Sequence, residues 1–146
     1  MNISIASDHA GFEQKEILKT YLQEKGYVVA DEGPATDERV DYPDYAKKVA
    51  QKVALGQVQC GVLVCGTGIG MALAADKVPG CRAANIITEQ FATLARQHND
   101  ANIVTLSGRF VDVETNKKIL DAFLTTSFEG GRHEQRVQKI MEIDTQ

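Results

Sequence analysis

A glycine-rich segment, Cys65-Gly66-Thr67-Gly68-Ile69-Gly70, places a thiol at the start of a stretch whose backbone can turn its N–H groups toward an anion. A helix that begins within this segment would add partial positive charge and favour the thiolate form of Cys65. A thiolate that faces several N–H donors is a base beside an oxyanion hole. The other interpretation is a tight strand–helix turn with an inert buried cysteine.

The familiar phosphate-binding motifs do not describe this segment. A Walker loop ends in Gly-Lys-Ser or Gly-Lys-Thr, which is absent, and a cysteine phosphatase loop needs an arginine where this chain has Met71. A dinucleotide fingerprint usually follows the first strand, and here the third glycine, Gly70, comes one position early. Glu89, near the end of the next predicted strand, could contact a ribose, so nucleotide binding stays open as an alternative.

Two other segments carry polar side chains suited to a sugar phosphate. Asp8 and His9 follow the first predicted strand and could bind hydroxyl and phosphate groups, or form an N-cap carboxylate with a surface histidine. His98 and Asn99 end a predicted helix, where a histidine is electrostatically stabilised and an asparagine can act as a C-cap. Both segments therefore have a structural and a functional interpretation.

Arginines supply the candidate anion-binding groups. Arg132 and Arg136 are spaced i, i+4 on one helix face, where they form either a forked phosphate clamp or a solvated surface. Arg109 follows the fifth predicted strand, at the edge where parallel sheets bind ligands. His133 shares the side of Val137 and is predicted to be structural.

The composition describes a mildly acidic domain. Its 146 residues carry 16 Lys and Arg against 20 Asp and Glu, a formal net charge of −4, which argues against a general basic surface for nucleic acid. No segment reads as a signal peptide, and no apolar run approaches the roughly 20 residues that span a bilayer. Cys60, Cys65 and Cys81 are odd in number and match no disulfide spacing or, with the histidines, zinc spacing. We therefore expect free thiols in a cytoplasmic protein that needs no metal and binds no membrane.

Short β-branched runs alternate with amphipathic stretches, which predicts a single α/β domain over residues 1–146. The expected fold is a Rossmann-like three-layer sandwich with a five-stranded parallel sheet in the order 2-1-3-4-5. That order changes direction between strands 1 and 3, where ligands bind at the carboxyl ends. The predicted strands are 2–7, 27–31, 61–64, 82–87 and 103–106, and the predicted helices are 11–24, 43–56, 70–76, 89–98, 113–124 and 133–143.

Five segments together resemble one family. They are Ser7-Asp8-His9-Ala10-Gly11, Asp41-Tyr42-Pro43, Cys65-Gly66-Thr67-Gly68-Ile69-Gly70, Arg96-Gln97-His98-Asn99-Asp100-Ala101-Asn102 and Glu129-Gly130-Gly131-Arg132-His133-Glu134-Gln135-Arg136-Val137. In order and spacing they are similar to the family of ribose-5-phosphate isomerase B and galactose-6-phosphate isomerase, over nearly the whole chain.

The resemblance implies an aldose–ketose isomerase that interconverts D-ribose 5-phosphate and D-ribulose 5-phosphate, a step of the pentose phosphate pathway. The implied chemistry is ring opening followed by proton transfer through an enediolate. One alternative is an isomerase of a six-carbon sugar phosphate, allose 6-phosphate or galactose 6-phosphate. Another is a nucleotide- or phosphosugar-binding module without catalysis.

The resemblance also implies a role for each site residue. Cys65 matches the proton-abstracting base of one branch of the family, because the region where a second branch has a glutamate reads Met71-Ala72 here. His98 matches the residue that helps to open the sugar ring, and Thr67 matches one that assists proton movement. The implied substrate-binding residues are Gly66, Gly68, Ile69 and Gly70 for the enediolate oxygens, Asp8, His9 and Asn99 for hydroxyl or phosphate groups, Arg109, Arg132 and Arg136 for anions, and Tyr42 for the pocket wall.

A homodimer, or a dimer of dimers, with active sites at the subunit interface is implied as well, with no cofactor. Helix 4 of the predicted fold runs from the ligand edge to the opposite edge of the sheet, so His98 should lie roughly 15 Å from Cys65 of its own chain. A two-fold partner would bring its own His98 to this Cys65. We also expect the C-terminal helix to pack on the partner subunit.

Overall fold

The computed structural model describes residues 1–145, in which parallel strands alternate with helices along the chain. The predicted parallel α/β sandwich is therefore confirmed, while the domain prediction also covers residue 146, outside the described residues. The strands are β1 (Asn2–Ser7), β2 (Val28–Asp31), β3 (Cys60–Cys65), β4 (Ala83–Asn85) and β5 (Ile103–Ser107). The helices are α1 (Phe12–Glu24), α2 (Tyr42–Ala54), α3 (Ile69–Ala75), α4 (Glu89–Asn99), α5 (Val113–Thr125) and α6 (Arg132–Ile143).

The order of the last two strands differs from the prediction. The sheet runs β2-β1-β3-β5-β4, so the predicted order 2-1-3-4-5 is wrong at this end. β5 is buried along its whole length, whereas β4 has three residues that are each half-buried. A strand covered on both faces suits the inside of a parallel sheet, and a very short strand suits its edge.

This order determines what lies beside the glycine loop. Cys65 is in register with Ser107 at the end of β5. The chain after β5 then runs along the loop, because the Gly108 N–H donates to the Cys65 carbonyl at 2.8 Å and the Arg109 N–H donates to the Gly66 carbonyl at 3.1 Å. In the predicted order β4 would have stood between them, and Arg109 would have been one strand further from Cys65.

Helices cover both faces of the sheet and enclose two apolar layers. α1, α4 and α5 pack on one face around Ile5, Val62 and Leu106, and α2 and α3 pack on the other around Leu63. Each large aliphatic side chain buried in this way contributes about 1.5–3 kcal/mol of hydrophobic stabilisation. The helix residues that form these layers include Leu18, Leu22, Ala92, Ile119, Leu120 and Phe123 on the first face and Ala46, Val49, Ala50, Met71 and Ala75 on the second.

The start of α1 lies directly against β3. A Cβ at Gly11 would collide with the carbonyl group of Val64, so only glycine permits this approach. The Gly11 N–H donates to Oδ1 of Asp8 at 3.0 Å, and the Asp8 N–H donates to the Val64 carbonyl at 3.2 Å. These contacts fix the segment after β1 beside the end of β3, at the point where the strand order changes direction.

A fully buried lysine ties the chain after β2 to α1. The ammonium of Lys15 lies 3.0 Å from Oδ1 of Asp31 and donates to the Pro34 carbonyl at 2.7 Å. Burial raises the pKa of Asp31, but hydrogen bonds from Lys19, the Gly33 N–H and Lys15 outweigh it and lower the pKa below its ordinary value. A buried charge is tolerated when it is paired and hydrogen-bonded in this way.

The C-terminal helix α6 packs on α4 of the same chain. His133 and Val137 are its buried residues, whereas Ile140 and Ile143 are exposed. Its packing on a partner subunit stays a prediction. None of the helices in the described residues has both the length and the apolar character needed to cross a bilayer.

Candidate active site

The glycine loop after β3 is built around the sulfur of Cys65. This residue is 5% exposed, and its Sγ accepts a hydrogen bond from the Gly68 N–H at 3.2 Å. Gly68 has φ +85°, and a Cβ there would collide with Oδ1 of Asn85 and lie 3.0 Å from the Leu106 carbonyl. A glycine is therefore required at this position for both its backbone angle and its lack of a side chain. The loop directs an N–H donor at the thiol, which stabilises negative charge on sulfur.

The other loop residues turn the chain from β3 into α3. Oγ1 of Thr67 accepts the Ile69 N–H at 3.1 Å, and both residues are exposed at the start of α3. The Gly66 carbonyl accepts the hydroxyl of Ser107 at 2.7 Å. The loop is thus held by hydrogen bonds on one side and open to solvent on the other.

Tyr42 stands over the end of the loop. It is 39% exposed at the start of α2, and a Cβ on Gly70 would lie 2.5 Å from its ring. The ring therefore packs on the backbone of Gly70, and its place in a substrate pocket stays a prediction.

Asp8 and His9 lie next to the loop because β1 and β3 are neighbours in the sheet. Asp8 is 7% exposed and accepts the N–H of Gly11, but Gly11 is itself the N-cap of α1, so Asp8 holds the turn before the helix and is not the predicted N-cap. His9 is half-buried, and its Nδ1 accepts the Val40 N–H at 3.3 Å. A neutral His9 therefore carries its proton on Nε2, which makes that atom a hydrogen-bond donor.

Arg109 completes this edge. A Cβ on Gly66 would lie 3.4 Å from Nη1 of Arg109, so the guanidinium rests beside the loop. Arg109 is exposed, so it provides positive charge at the side of the loop that faces solvent. The carboxyl edge of the sheet thus combines a thiol, N–H donors, a carboxylate, an imidazole and a guanidinium.

The two other cysteines differ from Cys65 in their surroundings. Burial raises the pKa of the Cys60 thiol to about 12. Burial, and then the nearby carboxylate of Asp76, raises the pKa of the Cys81 thiol to about 11. Both thiols are therefore neutral near pH 7 and cannot serve as bases there.

A second group of predicted residues lies at the opposite edge of the sheet, the amino edge, where the strands begin. His98 and Asn99 are the last residues of α4. The carbonyl of Asp100, the next residue, accepts a hydrogen bond from Nε of Arg82, which lies just before β4. Arg96 and Asp100 line a cavity of about 480 Å³ together with Cys60, the first residue of β3. Since β3 spans about 16 Å from Cys60 to Cys65, His98 is not near the thiol of its own chain.

Arg132 and Arg136 belong to this second group, because α6 packs on α4. The ring of His133, on the first turn of α6, stacks on the ring of His98 with 4.3 Å between centroids. Both arginines are exposed. One protomer thus carries two separate sets of candidate residues, one at each edge of the sheet.

Comparison with known proteins decides which family has this arrangement. The sequence profile described as Ribose/Galactose Isomerase matches residues 3–140. The chain belongs to the ribose/galactose isomerase family.

Relatives in this family are similar over almost their whole length. The probable ribose-5-phosphate isomerase B of Mycoplasma genitalium is 48% identical over 98% of this chain and 95% of that protein. Ribose-5-phosphate isomerase B of Escherichia coli is 45% identical over 97% of this chain and 95% of that protein. The resemblance seen in the sequence is therefore confirmed.

Solved structures of the family have the same fold. The ribose-5-phosphate isomerase B structure from Clostridium thermocellum matches with a TM-score of 0.98 at 45% identity, covering 99% of this chain and 98% of that one. The Mycoplasma genitalium structure, determined with bound ribulose-5-phosphate, matches with a TM-score of 0.96 at 47% identity and covers 99% and 97%.

In this member of the family, sequence analysis overlooked several residues that hold the site in place. Asn116 donates to the Ser107 carbonyl at 3.0 Å and to the side chain of Gln14 at 2.7 Å, and Gln14 donates to the Gly108 carbonyl at 3.2 Å. The Ser107 hydroxyl also accepts the Phe110 N–H at 3.0 Å. These contacts fix the chain that carries Arg109. In the sequence, only the position of Ser107 at the end of a strand could have indicated these contacts.

Glu129 was overlooked in the same way at the other edge. Its Oε1 lies 3.7 Å from Nε2 of His98. The carboxylate of Glu129 and the imidazoles of His98 and His133 bring three atoms that can bind a metal within 4.8 Å of one another. Sequence analysis grouped Glu129 with the family's motif but gave it no function.

Proposed function

We propose that the chain is an aldose–ketose isomerase that interconverts D-ribose 5-phosphate and D-ribulose 5-phosphate, with Cys65 as the base. One observation carries the proposal: the Cys65 sulfur accepts the Gly68 N–H within a glycine loop, beside Asp8 and Arg109, at the switch point of the sheet. The names of the relatives support the substrate, as does the ribulose-5-phosphate bound to the Mycoplasma genitalium protein.

Cys65 carries the proton between the two carbons. The thiolate removes the proton from C2 of the open-chain aldose, the C2–H electrons form the C1–C2 double bond, and the carbonyl electrons move onto O1. A proton passes from O2 to O1, and the Cys65 thiol then returns its proton to C1, so that the ketose forms at C2. No hydride leaves the sugar, so the reaction requires no nicotinamide.

Backbone N–H groups of residues 66–70 stabilise the enediolate oxygens, and one such donor contributes about 3 kcal/mol. Two of these groups have partners in the free protein: Gly68 donates to the Cys65 sulfur and Ile69 to Thr67. Rotation of the Thr67 side chain releases the Ile69 N–H and brings a hydroxyl toward O1 and O2. This motion gives Thr67 its part in moving the proton between the oxygens.

The remaining residues bind the sugar phosphate and open its ring. His98 donates a proton to the ring oxygen, Asp8, His9 and Asn99 bind hydroxyl or phosphate groups, and Tyr42 closes the pocket. Arg109, Arg132 and Arg136 bind the phosphate, whose remote binding energy orients the reacting carbons.

A homodimer completes each site. Cys65 and His98 stand at opposite edges of one protomer, about 16 Å apart along β3, so one chain cannot bring both to a pentose. In a two-fold dimer, the amino edge of one subunit can lie on the carboxyl edge of the other. Each subunit then contributes its His98 and its α6 arginines to the site that contains the partner's Cys65. The exposed Phe91 and Phe110, at 59% and 77%, provide apolar surface near the carboxyl edge for such a contact.

The three free cysteines suit the reducing cytoplasm.

The test is a kinetic comparison of sugar phosphates on the purified protein. We expect kcat/KM for ribose 5-phosphate to exceed that for allose 6-phosphate and galactose 6-phosphate by at least about tenfold, a difference of 1.4 kcal/mol in transition-state binding. Dialysis against a chelator should leave the rate unchanged. A higher kcat/KM for a six-carbon substrate would assign that sugar instead, and recovery of a lost rate with zinc, magnesium or NAD would contradict the mechanism.

A further inference from the structure

Three side chains form a cluster at the amino edge that the proposed mechanism uses only in part. The rings of His98 and His133 are stacked, with 4.3 Å between centroids and 15° between planes. Oε1 of Glu129 lies 3.7 Å from Nε2 of His98 on the open side of this pair. His98 has a proposed function in ring opening, whereas neither Glu129 nor His133 has one.

The backbone holds this cluster in place. The Glu129 N–H donates to the carbonyl of Gln97, the residue before His98, at 3.1 Å. Nε of Arg96, the residue before Gln97, donates to the Thr126 carbonyl at 3.1 Å. The segment 126–129 is therefore fastened to the last turn of α4, which sets the Glu129 carboxylate beside the imidazole.

Two glycines bring His133 onto the other face of the same ring. Gly130 and Gly131 have φ +67° and +56°, and a Cβ on either would meet nothing within 4 Å. Their left-handed backbone, rather than crowding, is the reason for glycine here. The turn they form starts α6 against α4 and buries His133 to 9% exposure under His98.

The charges around the stack favour one protonation pattern. Burial and then the neighbouring His98 and Arg132 lower the pKa of His133, so His133 is neutral at pH 7. A neutral ring can stack on His98 in either protonation state, whereas two imidazolium rings would repel each other. The start of α6 and the loop before it carry Glu129, Arg132, Glu134 and Arg136, and Oε1 of Glu129 lies 3.7 Å from Nε2 of His98, where its carboxylate can pair with a protonated imidazole.

We propose that Glu129 and His133 are positioning residues for His98: His133 fixes the plane of its imidazole, and Glu129 stabilises its protonated form. This rests on the ring-opening function proposed for His98. Protonated His98 gives its proton to the ring oxygen as the C1–O4 bond breaks and its electrons move to O4. The protonated aldehyde at C1 then returns a proton to the neutral His98, so the imidazole is regenerated in each cycle.

The stacked geometry fits this function better than metal binding. A metal ion binds an imidazole nitrogen in the plane of the ring, and two nearly parallel rings do not direct their nitrogens to one point. Two arginines on the adjoining helix further oppose a cation. The distance between Glu129 and His98 is that of an ion pair rather than a short hydrogen bond, which leaves His98 free to exchange its proton.

The experiment separates ring opening from proton transfer at carbon. Ribulose 5-phosphate has no ring, because its 5-hydroxyl carries the phosphate, so exchange of its C1 proton with D2O needs Cys65 but not His98. The variants are His133→Ala, which removes the stack, His133→Phe, which keeps a flat ring, and Glu129→Gln, which removes the charge. Glu142→Gln, an exposed carboxylate at the far end of α6, is the matched control, and His98→Asn is the reference.

We expect His133→Ala to lower kcat for ribose 5-phosphate by about tenfold, part of the roughly 10²–10⁴-fold that acid–base catalysis contributes. KM and the C1 exchange rate should stay within about twofold, and His133→Phe should keep at least about half of kcat. Glu129→Gln should lower kcat by about threefold to tenfold and move the acid limb of its pH profile to lower pH, while Glu142→Gln has no effect.

Several outcomes would overturn the proposal. If His98→Asn is impaired but His133→Ala and Glu129→Gln turn over like the unmodified protein, the positioning function fails and the proposed isomerase stands. If kcat and C1 exchange fall in parallel, His133 supports the fold rather than His98. If His98→Asn leaves kcat unchanged, ring opening by His98 fails and the inference fails with it. If a chelator lowers the rate, and zinc restores it in the unmodified protein but not in His133→Ala, the cluster is a metal centre.

Discussion

The two edges of the sheet hold sites that are built in different ways. At the carboxyl edge, Cys65 stands among glycines and backbone hydrogen bonds, and a methyl group on Gly11 or Gly68 would collide with neighbouring atoms. At the amino edge, His98 and the arginines are side chains on two helices, and His98 is 40% exposed. The first region is held rigid by backbone contacts within the chain, whereas the second consists of exposed side chains. This contrast teaches that one chain can carry two sets of candidate residues, of which only one is rigidly positioned by the fold itself.

Replacement of the thiol should have the largest effect. Cys65→Ala removes the base and should lower kcat by about 10³-fold or more, while ribose 5-phosphate still binds through the arginines. Cys60→Ala and Cys81→Ala are matched controls, because raised pKa values keep those buried thiols neutral and uninvolved. Ketose formation and calorimetric binding measure the two effects. Near-normal turnover in a verified Cys65→Ala preparation would assign the base elsewhere.

Subunit mixing tests whether the two edges meet in trans. Cys65→Ala and His98→Ala dimers should each be nearly inactive. A mixed dimer has one doubly damaged site and one intact site, so random exchange should restore roughly a quarter of wild-type activity. Exchange is verified by native mass spectrometry of differently tagged chains. Verified exchange without recovery would show that each site is built within one chain.

Loss of an arginine at the amino edge should weaken binding of the phosphate. Arg136→Ala should raise KM for ribose 5-phosphate by roughly 10- to 150-fold, the equivalent of about 1.5–3 kcal/mol for a charge-assisted contact. Lys139→Ala, an exposed cation further along α6, is the control and should have little effect. Competition with free ribose separates the interpretations, because equal losses for ribose and ribose 5-phosphate would mean a structural function.

Glycine substitutions test the rigidity of the carboxyl edge. Gly68→Ala should lower the free energy of unfolding by about 1–3 kcal/mol and reduce kcat, because its Cβ would displace Asn85. Gly26→Ala is the matched control, since Gly26 has a similar φ of +94° but open space around it. It should cost only about 1 kcal/mol, with normal kcat. Urea unfolding and steady-state kinetics measure both. Equal kcat in the two variants would mean that the loop tolerates rearrangement.

The smallest expected effect is a loss of stability at acid pH that is confined to the amino edge. The pKa of His133 is lowered in the folded state from an ordinary 6.5, so the unfolded chain binds the proton more readily. The contribution of neutral His133 to stability is therefore complete above about pH 6.5 and declines as the pH falls below it. The protection factors of α6 amides, which correct for the slower intrinsic exchange at lower pH, should fall between pH 7 and 5, and His133→Phe should remove that dependence. An identical pH dependence in His133→Phe would contradict it.

The sequence was most informative where local patterns govern structure. Apolar periodicity located the strands and helices to within a few residues, and the glycine spacing indicated that the chain turns after Cys65. The order of β4 and β5 was beyond such patterns, because it depends on which strand is buried on both faces once the layers assemble. The sequence predicted a strand over residues 82–87, and only the structure shows that it shortens to Ala83–Asn85, as suits an edge position.

The arrangement at the amino edge was harder to predict from the sequence, because its contacts join segments that are far apart in the chain. Alone, His133 has the spacing of a core residue, and the structure buries it accordingly, yet its ring lies on His98. Glu129 gives no periodic signal at all. Such contacts follow from the left-handed turn at Gly130 and Gly131, whose direction a sequence does not specify.

The loop after β2 is a place where relatives can differ in length without disturbing the rest of the fold. Its first part is held by Lys15 and by the Gly33 carbonyl, which accepts the Ser7 N–H at 3.1 Å, and its end returns to His9 through Val40. Residues 35–39 between these points are exposed. Insertions and deletions there are tolerated at low cost in free energy. Relatives can therefore vary this segment, which ends beside His9, without disturbing the glycine loop that begins at Cys65.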